Sequence, residues 1–373
     1  MTVPASCQAA VLTEHGAPME LLEVPVPQDL EDGAVLVRNR AATICATDVH
    51  LAEGDVSSKQ AASGLPVILG HEMVGEVVRT NHADIDSIGQ PLEEGDRVIW
   101  TPGYCGRCVE CVLNHAPTLC LNRRGYMASD PADYPHLTGA FAEYGYVYPT
   151  SGLVKVPAVL PDAVAAAASC ALRTTVHAFD RLGTLDERQT VVVQGSGPLG
   201  LFAVAKAVTM GPRRVIVVGA PADRLALARK WGATEAIDIT EVPDAADRTE
   251  CVMELTGGLG ADVVVEMSGA PAAFTEGMAM LRRGGRYLLV GQISPAQVMF
   301  NPALAVMKQA SIVGVFSGAI EHYARALQFM EAHHERFDWT EMITSSRPLT
   351  EINDAMDAMR GHREIKPALT MVE

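Results

Sequence analysis

Cys45, Thr47, Asp48 and His50 place a thiol, a hydroxyl, a carboxylate and an imidazole within six consecutive positions of the stretch TICATDVH, residues 43–50. An ionised thiol is a soft metal ligand, and an imidazole moves protons near neutral pH. A hydroxyl can pass a proton on, and a carboxylate can fix the orientation of an imidazole. GHE at residues 70–72 adds His71 with Glu72 beside it, and ASCALRTTVHA adds Cys170. Cys45, His71 and Cys170 form a Cys₂His set, the open type of zinc site that leaves a fourth position for water or substrate. Asp48 then accepts the second ring N–H of a metal-bound His71. Taken singly, each cysteine also reads as a small core residue and His50 as a surface histidine. The set draws its meaning from occurring together with a nucleotide-binding region.

A second cluster, CGRCVECVLNHAPTLC, holds Cys105, Cys108, Cys111 and Cys120, four of the eight cysteines in the chain. Four thiolates suit a closed, tetrahedral structural zinc site. A ferredoxin-type iron–sulfur run also begins C-x₂-C-x₂-C, but it needs its fourth cysteine four positions on and followed by proline. Here Cys120 lies nine positions after Cys111 and precedes Leu121. Two zinc ions per chain are therefore expected.

The third constellation is VVVQGSGPLG, in which Gly195, Gly197 and Gly200 follow an apolar strand and open a helix, with Pro198 and Leu199 inside the turn. This is the dinucleotide fingerprint in its required context. Gly195 makes the tight turn, Gly197 lets backbone approach a pyrophosphate, and Gly200 allows close helix packing. The next strand normally ends in an acid that holds the adenosine ribose and repels a 2′-phosphate, but here VIVVG ends in Gly219. Arg224 is the nearest basic residue toward the adenosine end and equally fits a solvated helix position. NAD and NADP both remain open.

The elements that must carry these residues fall into two textures. Up to roughly residue 160 the chain runs as short β-like stretches broken by Gly, Pro and Asp, among them AVLVRNRAA, PVILGHEMVGEVVRT and GDRVIWTP. GHE falls on the second of these strand-like segments. From roughly 188, apolar strand runs alternate with helix-length segments, the pattern of a parallel sheet covered on both faces. AIEHYARALQFMEAHH and EINDAMDAMRG then read as helices and PALTMV as a closing strand. At 373 residues two domains are expected. A net charge of −16 argues against nucleic acid and anionic lipid as partners. No run reaches membrane-spanning length and the N-terminus shows no signal peptide, so a cytoplasmic, reducing location is expected, with cysteines as ligands rather than disulfides.

Together C-x-T-D-x-H, GHE, GDRV, the four-cysteine lobe, the cysteine near the texture change and GSGPLG resemble the zinc-dependent alcohol dehydrogenases of the medium-chain dehydrogenase/reductase superfamily, over nearly the whole chain. The resemblance implies an α/β protein: a GroES-like β catalytic domain (1–171) bearing the structural zinc lobe, a doubly wound Rossmann NAD(P) domain (172–312), and a C-terminal return to the catalytic domain (313–373). It implies Cys45, His71 and Cys170 as catalytic zinc ligands, with Glu72 as a carboxylate able to approach the metal. Thr47 and His50 match the family's proton relay. It also implies a homodimer or homotetramer, with Rossmann sheet edges near SIVGVF as the contact. Three departures stand out. The gap between Cys111 and Cys120 is one residue longer than the family's. Ala46 stands where some relatives carry a base facing the cofactor pyrophosphate, which makes Lys366 a candidate for that task. Gly219 replaces the acid.

The activity implied is reversible oxidation of a primary or, favoured, a secondary and possibly alicyclic alcohol, with hydride transfer to NAD(P). Alternatives are an NADPH-dependent carbonyl or enone reductase on the same scaffold and a non-catalytic zinc- and nucleotide-binding protein. Trp100 stands as a candidate for the substrate pocket and equally for the core.

Overall fold

The computed structural model describes residues 3–55, 64–293 and 296–371. The chain divides into two compact units, Met1–Arg173 with Gly318–Glu373, and Thr174–Ser317.

The first unit is built on a seven-stranded sheet. Six strands run in the order Ile343–Pro348, Lys366–Thr370, Val35–Thr43, Met73–Thr80, Arg97–Gly103 and Ser151–Lys155, and Tyr144–Val147 pairs with Val35–Thr43. A three-stranded sheet of Glu20–Pro25, Ser6–Leu12 and Val67–Ile68 completes it. Alternating apolar side chains close a core that includes Leu36, Ile44, Ile68 and Phe141, all fully buried. Trp100 belongs to that core at 3% exposure. Of the expected closing strand PALTMV, the described residues 367–370 belong to Lys366–Thr370, an interior strand lying antiparallel beside Val35–Thr43.

One expectation fails locally. The segment PVILGHEMVGEVVRT is not continuous: Val67–Ile68 and Met73–Thr80 are separate strands, and His71 and Glu72 lie in the break. Gly70 causes it, with φ of +94° and no room for a Cβ, which would lie 2.6 Å from the Phe141 ring. The break turns His71 and Glu72 out of the pleat, where a strand would have sent adjacent side chains to opposite faces.

The second unit carries six parallel strands in the order Glu235–Asp238, Arg214–Gly219, Thr190–Gln194, Ala261–Glu266, Leu281–Leu289 and Ser311–Gly314. Counted within the unit this is 3-2-1-4-5-6, the doubly wound dinucleotide-binding order. The strand order reverses between Thr190–Gln194 and Ala261–Glu266, so ligands are expected beyond the carboxyl ends of those two strands. Val191, Val192, Val193, Val263, Val264 and Val265 are all fully buried, as a sheet covered on both faces requires.

Candidate active site and metal centres

Cys45 sits at the end of Val35–Thr43 and caps the helix Ala46–Glu53. Asp48 holds this corner with both oxygens. Its Oδ2 accepts the Cys45 backbone N–H at 2.8 Å, and its Oδ1 accepts the His71 Nδ1–H at 3.1 Å. The carboxylate thus caps the helix and leaves Nε2 of His71 as the free ligand atom. Cys170 arrives on a π-helical turn, Ala168–Leu172, between the helices Asp162–Ala167 and Arg173–Leu182. Single π turns inside helices occur frequently at functional sites. Ligand atoms of Cys45, His71, Glu72 and Cys170 all lie within 4.8 Å of one another.

Glu72 is fully buried. Its Oε2 is taken by the Lys366 ammonium and the Thr43 hydroxyl, while Oε1 has no hydrogen-bond partner. An orphaned buried carboxylate oxygen beside two thiols and an imidazole fits a divalent cation, and the N/S composition fits zinc. Lys366 is a correction to the sequence reading. It was the candidate for the cofactor pyrophosphate, but it is 1% exposed and spent on Glu72. A lysine can be buried this deeply only if its charge is paired, and Glu72 supplies the pair.

The charges settle accordingly. The hydrogen bond from Cys45 and the nearby His71 hold the Cys170 thiol well below its ordinary value, whereas that shared hydrogen bond and burial push Cys45 up to about 11. Burial works against protonation of His71, but Asp48 and Cys170 outweigh it and raise its affinity for a proton. Burial also pushes Glu72 up to about 7 against the pull of Lys366.

In the four-cysteine lobe, Cys108 Sγ lies 3.5 Å from Cys111 Sγ and 3.9 Å from Cys120 Sγ, and all four sulfurs lie within 4.8 Å. Zinc–sulfur arms of ~2.3 Å at tetrahedral angles put sulfurs ~3.8 Å apart, so the cage has the size a zinc ion needs. The Arg107 backbone N–H lowers Cys105 to about 6, while burial and the neighbouring sulfurs push Cys111 up to about 12. Cys45 and Cys111 are thus protonated thiols in the metal-free protein at neutral pH. Remetallation is expected to release protons, and zinc affinity at both sites is expected to fall as pH falls. A pH-indicator titration of chelator-stripped protein checks this. Proton-neutral zinc uptake would contradict it.

Thr47 and His50 stand three apart on the helix Ala46–Glu53 and so share a face. Thr47 Oγ1 is 3.7 Å from Cys45 Sγ. The His50 side chain is 40% exposed, with Nδ1 3.6 Å from Asp55. One end of the pair is at the donor set and the other faces water.

The glycine turn lies in the second unit. Gly195 has φ of +109°, and a Cβ on Gly200 would lie 1.9 Å from the Gly195 carbonyl oxygen. Nothing stands within 4 Å of a Cβ at Gly197, the N-cap of the helix Pro198–Thr209, so the approach to the helix N-terminus is open. Gly219 has a steric reason: a Cβ there would lie 2.7 Å from Ser196 Oγ. Arg224, on the helix Ala222–Lys230, is 6% exposed and not a solvated side chain, and burial lowers its pKa. The sequence reading missed Glu266, whose fully buried carboxylate accepts from the backbone of Ser268, Gly269 and Gly291 and ties the loops beyond two strand ends. An acid closing the apolar run ADVVVE was the available signal.

A dinucleotide-binding sheet in one unit and a β unit bearing two cysteine-rich donor sets in the other define a metal-dependent, nicotinamide-linked dehydrogenase. The chain belongs to the zinc-dependent alcohol dehydrogenases of the medium-chain dehydrogenase/reductase superfamily: residues 31–158 match the alcohol dehydrogenase GroES-like domain and residues 198–332 the zinc-binding dehydrogenase family. It is 31% identical to 5-exo-hydroxycamphor dehydrogenase of Pseudomonas putida over 366 residues, covering 97% of this chain and 98% of that one. Sorbitol dehydrogenase of Bacillus subtilis is also 31% identical, covering 95% and 94% of the two chains. Among solved structures, an alcohol dehydrogenase of Thermotoga maritima superposes with a TM-score of 0.90 at 32% identity, covering 98% of this chain and 99% of the other. A protein described as a zinc-binding dehydrogenase, from Sinorhizobium meliloti and bound to NADP, gives 0.82 at 25% identity, covering 98% and 100%. The protein is therefore an oxidoreductase acting on CH–OH donors, with zinc and NAD(P) as its cofactors. Among the described residues no helix is long and apolar enough to cross a membrane.

Proposed function

We propose that the protein oxidises a secondary, alicyclic alcohol to the ketone, reversibly, with hydride transfer to NAD(P). The observation that carries this reading is the half-buried, open donor set of Cys45, His71 and Cys170 with a hydroxyl at its edge and an imidazole leading from it to solvent. The alicyclic assignment draws on the full-length similarity to a dehydrogenase named for a hydroxyl on a camphor ring.

In this reading Cys45, His71 and Cys170 hold the catalytic zinc, and Cys105, Cys108, Cys111 and Cys120 hold the structural one. Bound zinc supplies Lewis acidity toward an alcohol oxygen, and NAD(P) supplies the hydride acceptor. Thr47 Oγ1 accepts the hydroxyl proton while giving up its own, and His50, one turn further along the helix, releases a proton to water. Asp48 keeps His71 in its ligating tautomer. Gly195, Gly197, Pro198, Leu199 and Gly200 receive the pyrophosphate at the start of Pro198–Thr209. No acid stands at Gly219 to repel a 2′-phosphate, so NADP is expected to serve as well as NAD, with Arg224 on the adenosine side.

We further place the protein in the cytoplasm, where six cysteines remain available as metal thiolates, and read it as a homodimer or homotetramer. The exposed edge strand Ser311–Gly314 supports self-association. The domain limits follow the sequence reading, 1–171, 172–312 and 313–373.

The test is growth of the reduced-nicotinamide absorbance with primary, acyclic secondary and alicyclic alcohols, each with NAD and with NADP. Turnover is expected to be highest with alicyclic secondary alcohols and detectable with both cofactors. Exclusive use of primary alcohols, or of NAD, would overturn the respective assignment.

A further inference from the structure

The three catalytic-zinc ligands come from three separate segments, and something must hold those segments together. Asp48 ties the first to the second. The third segment is the π-helical turn Ala168–Leu172, in which Ser169 is fully buried directly before Cys170. Ser169 Oγ donates to the Ala166 carbonyl at 2.7 Å in the preceding turn and accepts the Met73 backbone N–H at 3.1 Å. Met73 opens the strand Met73–Thr80 and directly follows His71 and Glu72. The Ser169 carbonyl in turn accepts Arg173 Nε at 2.8 Å, so the residue is held from both ends.

We infer that Ser169 is a positioning residue for the catalytic metal: its hydroxyl fastens the Cys170 turn to the start of the strand that follows His71 and Glu72. This inference rests on the reading of Cys45, His71 and Cys170 as the zinc ligands. A hydroxyl is required because one group must both accept from Met73 and donate to Ala166, and no apolar side chain does either. Without it the Met73 N–H is left unpaired in a dry site, and the π turn loses its link to His71 and Glu72. Cys170 would then be presented by an unanchored turn, and a metal site tolerates little such displacement of a ligand.

The experiment compares metal retention at the two sites of the holoenzyme. Chelator competition, followed by metal analysis and by the thiolate-to-cobalt charge-transfer band of cobalt-substituted protein, is applied to Ser169→Ala, Ser169→Thr and Cys45→Ser. Cys45→Ser identifies which metal belongs to the Cys45 set, and if it loses none, the reading of that set fails. Given that assignment, Ser169→Ala is expected to weaken this one site by about 10- to 100-fold, the range for outer groups that orient metal ligands, while the four-cysteine site is unchanged. Ser169→Thr retains the hydroxyl and is expected to bind metal as the parent does. Ser151→Ala is the control for loss of a serine hydroxyl, because Ser151 Oγ is buried without a partner. Unchanged affinity in Ser169→Ala, equal loosening of both sites, or a threonine variant as weak as the alanine variant would overturn the inference. If Ser169→Ala does not fold, Ser169→Gly, which also removes the hydroxyl, takes its place in the comparison.

Discussion

Thr47→Ala is expected to lower kcat by about 100- to 10,000-fold, the usual worth of a positioned proton-transfer group, while both metals stay bound. Thr47 lies in the first turn of Ala46–Glu53, beside the Cys45 sulfur but outside the donor set. Alanine is the better helix former, so the substitution should not cost the helix its stability. In the proposed relay, removing the hydroxyl leaves the alcohol proton without its first acceptor and strands His50, one turn further on. Thr47→Ser should restore most of the activity. Steady-state kinetics alongside zinc analysis separate the roles: normal turnover in a fully metallated alanine variant would remove Thr47 from the relay, and loss of zinc would make it a structural residue.

Gly200→Ala acts on the other cofactor. The new Cβ would lie 1.9 Å from the Gly195 carbonyl oxygen and 2.7 Å from its carbon. These are backbone atoms, so no side-chain rotation relieves the clash. Either the turn flattens or the helix Pro198–Thr209 moves away from it. Overpacking of about 1–3 kcal/mol, if carried by the bound geometry, corresponds to about 5- to 150-fold weaker cofactor binding. Fluorescence titration with reduced nicotinamide cofactor reads this directly, and zinc content, held by the other unit, should not change. Unaltered affinity would mean that the turn does not carry the pyrophosphate.

Apart from the Cys45, His71 and Cys170 set, which residue chemistry and the family resemblance bring together across three segments, the parts of the site legible in the sequence are those whose geometry is local. Thr47 and His50 are one helical turn apart, the four lobe cysteines lie within one loop region, and the glycines of GSGPLG shape a single turn. The alternation of strand and helix after residue 188 gave the doubly wound sheet because each element packs on its sequence neighbour. What was not legible depends on contacts between distant segments. Lys366 reads as a free cation from its own stretch of chain, because the partner that neutralises it, Glu72, lies far away in the sequence. Ser169 is inconspicuous in an alanine-rich stretch, and its partner Met73 contributes only a backbone N–H. The break at Gly70 was hidden inside an apolar run that periodicity treats as one strand. Arg224 reads equally as a residue toward the adenosine end and as a solvated one, because its position on a helix does not reveal what covers it.

The interior position of Lys366–Thr370 has a consequence for how the protein comes into being. During synthesis the proposed zinc ligands have all been added by residue 170, but the ammonium that pairs with Glu72 is added only at residue 366. Until then Val35–Thr43 lacks the neighbour on that side, and Glu72 sits among nascent thiols without its counter-charge. The segment Thr174–Ser317 is contiguous and can close on its own in the meantime. The Glu72 carboxylate therefore gains its counter-charge only after the whole of Thr174–Ser317 has been made.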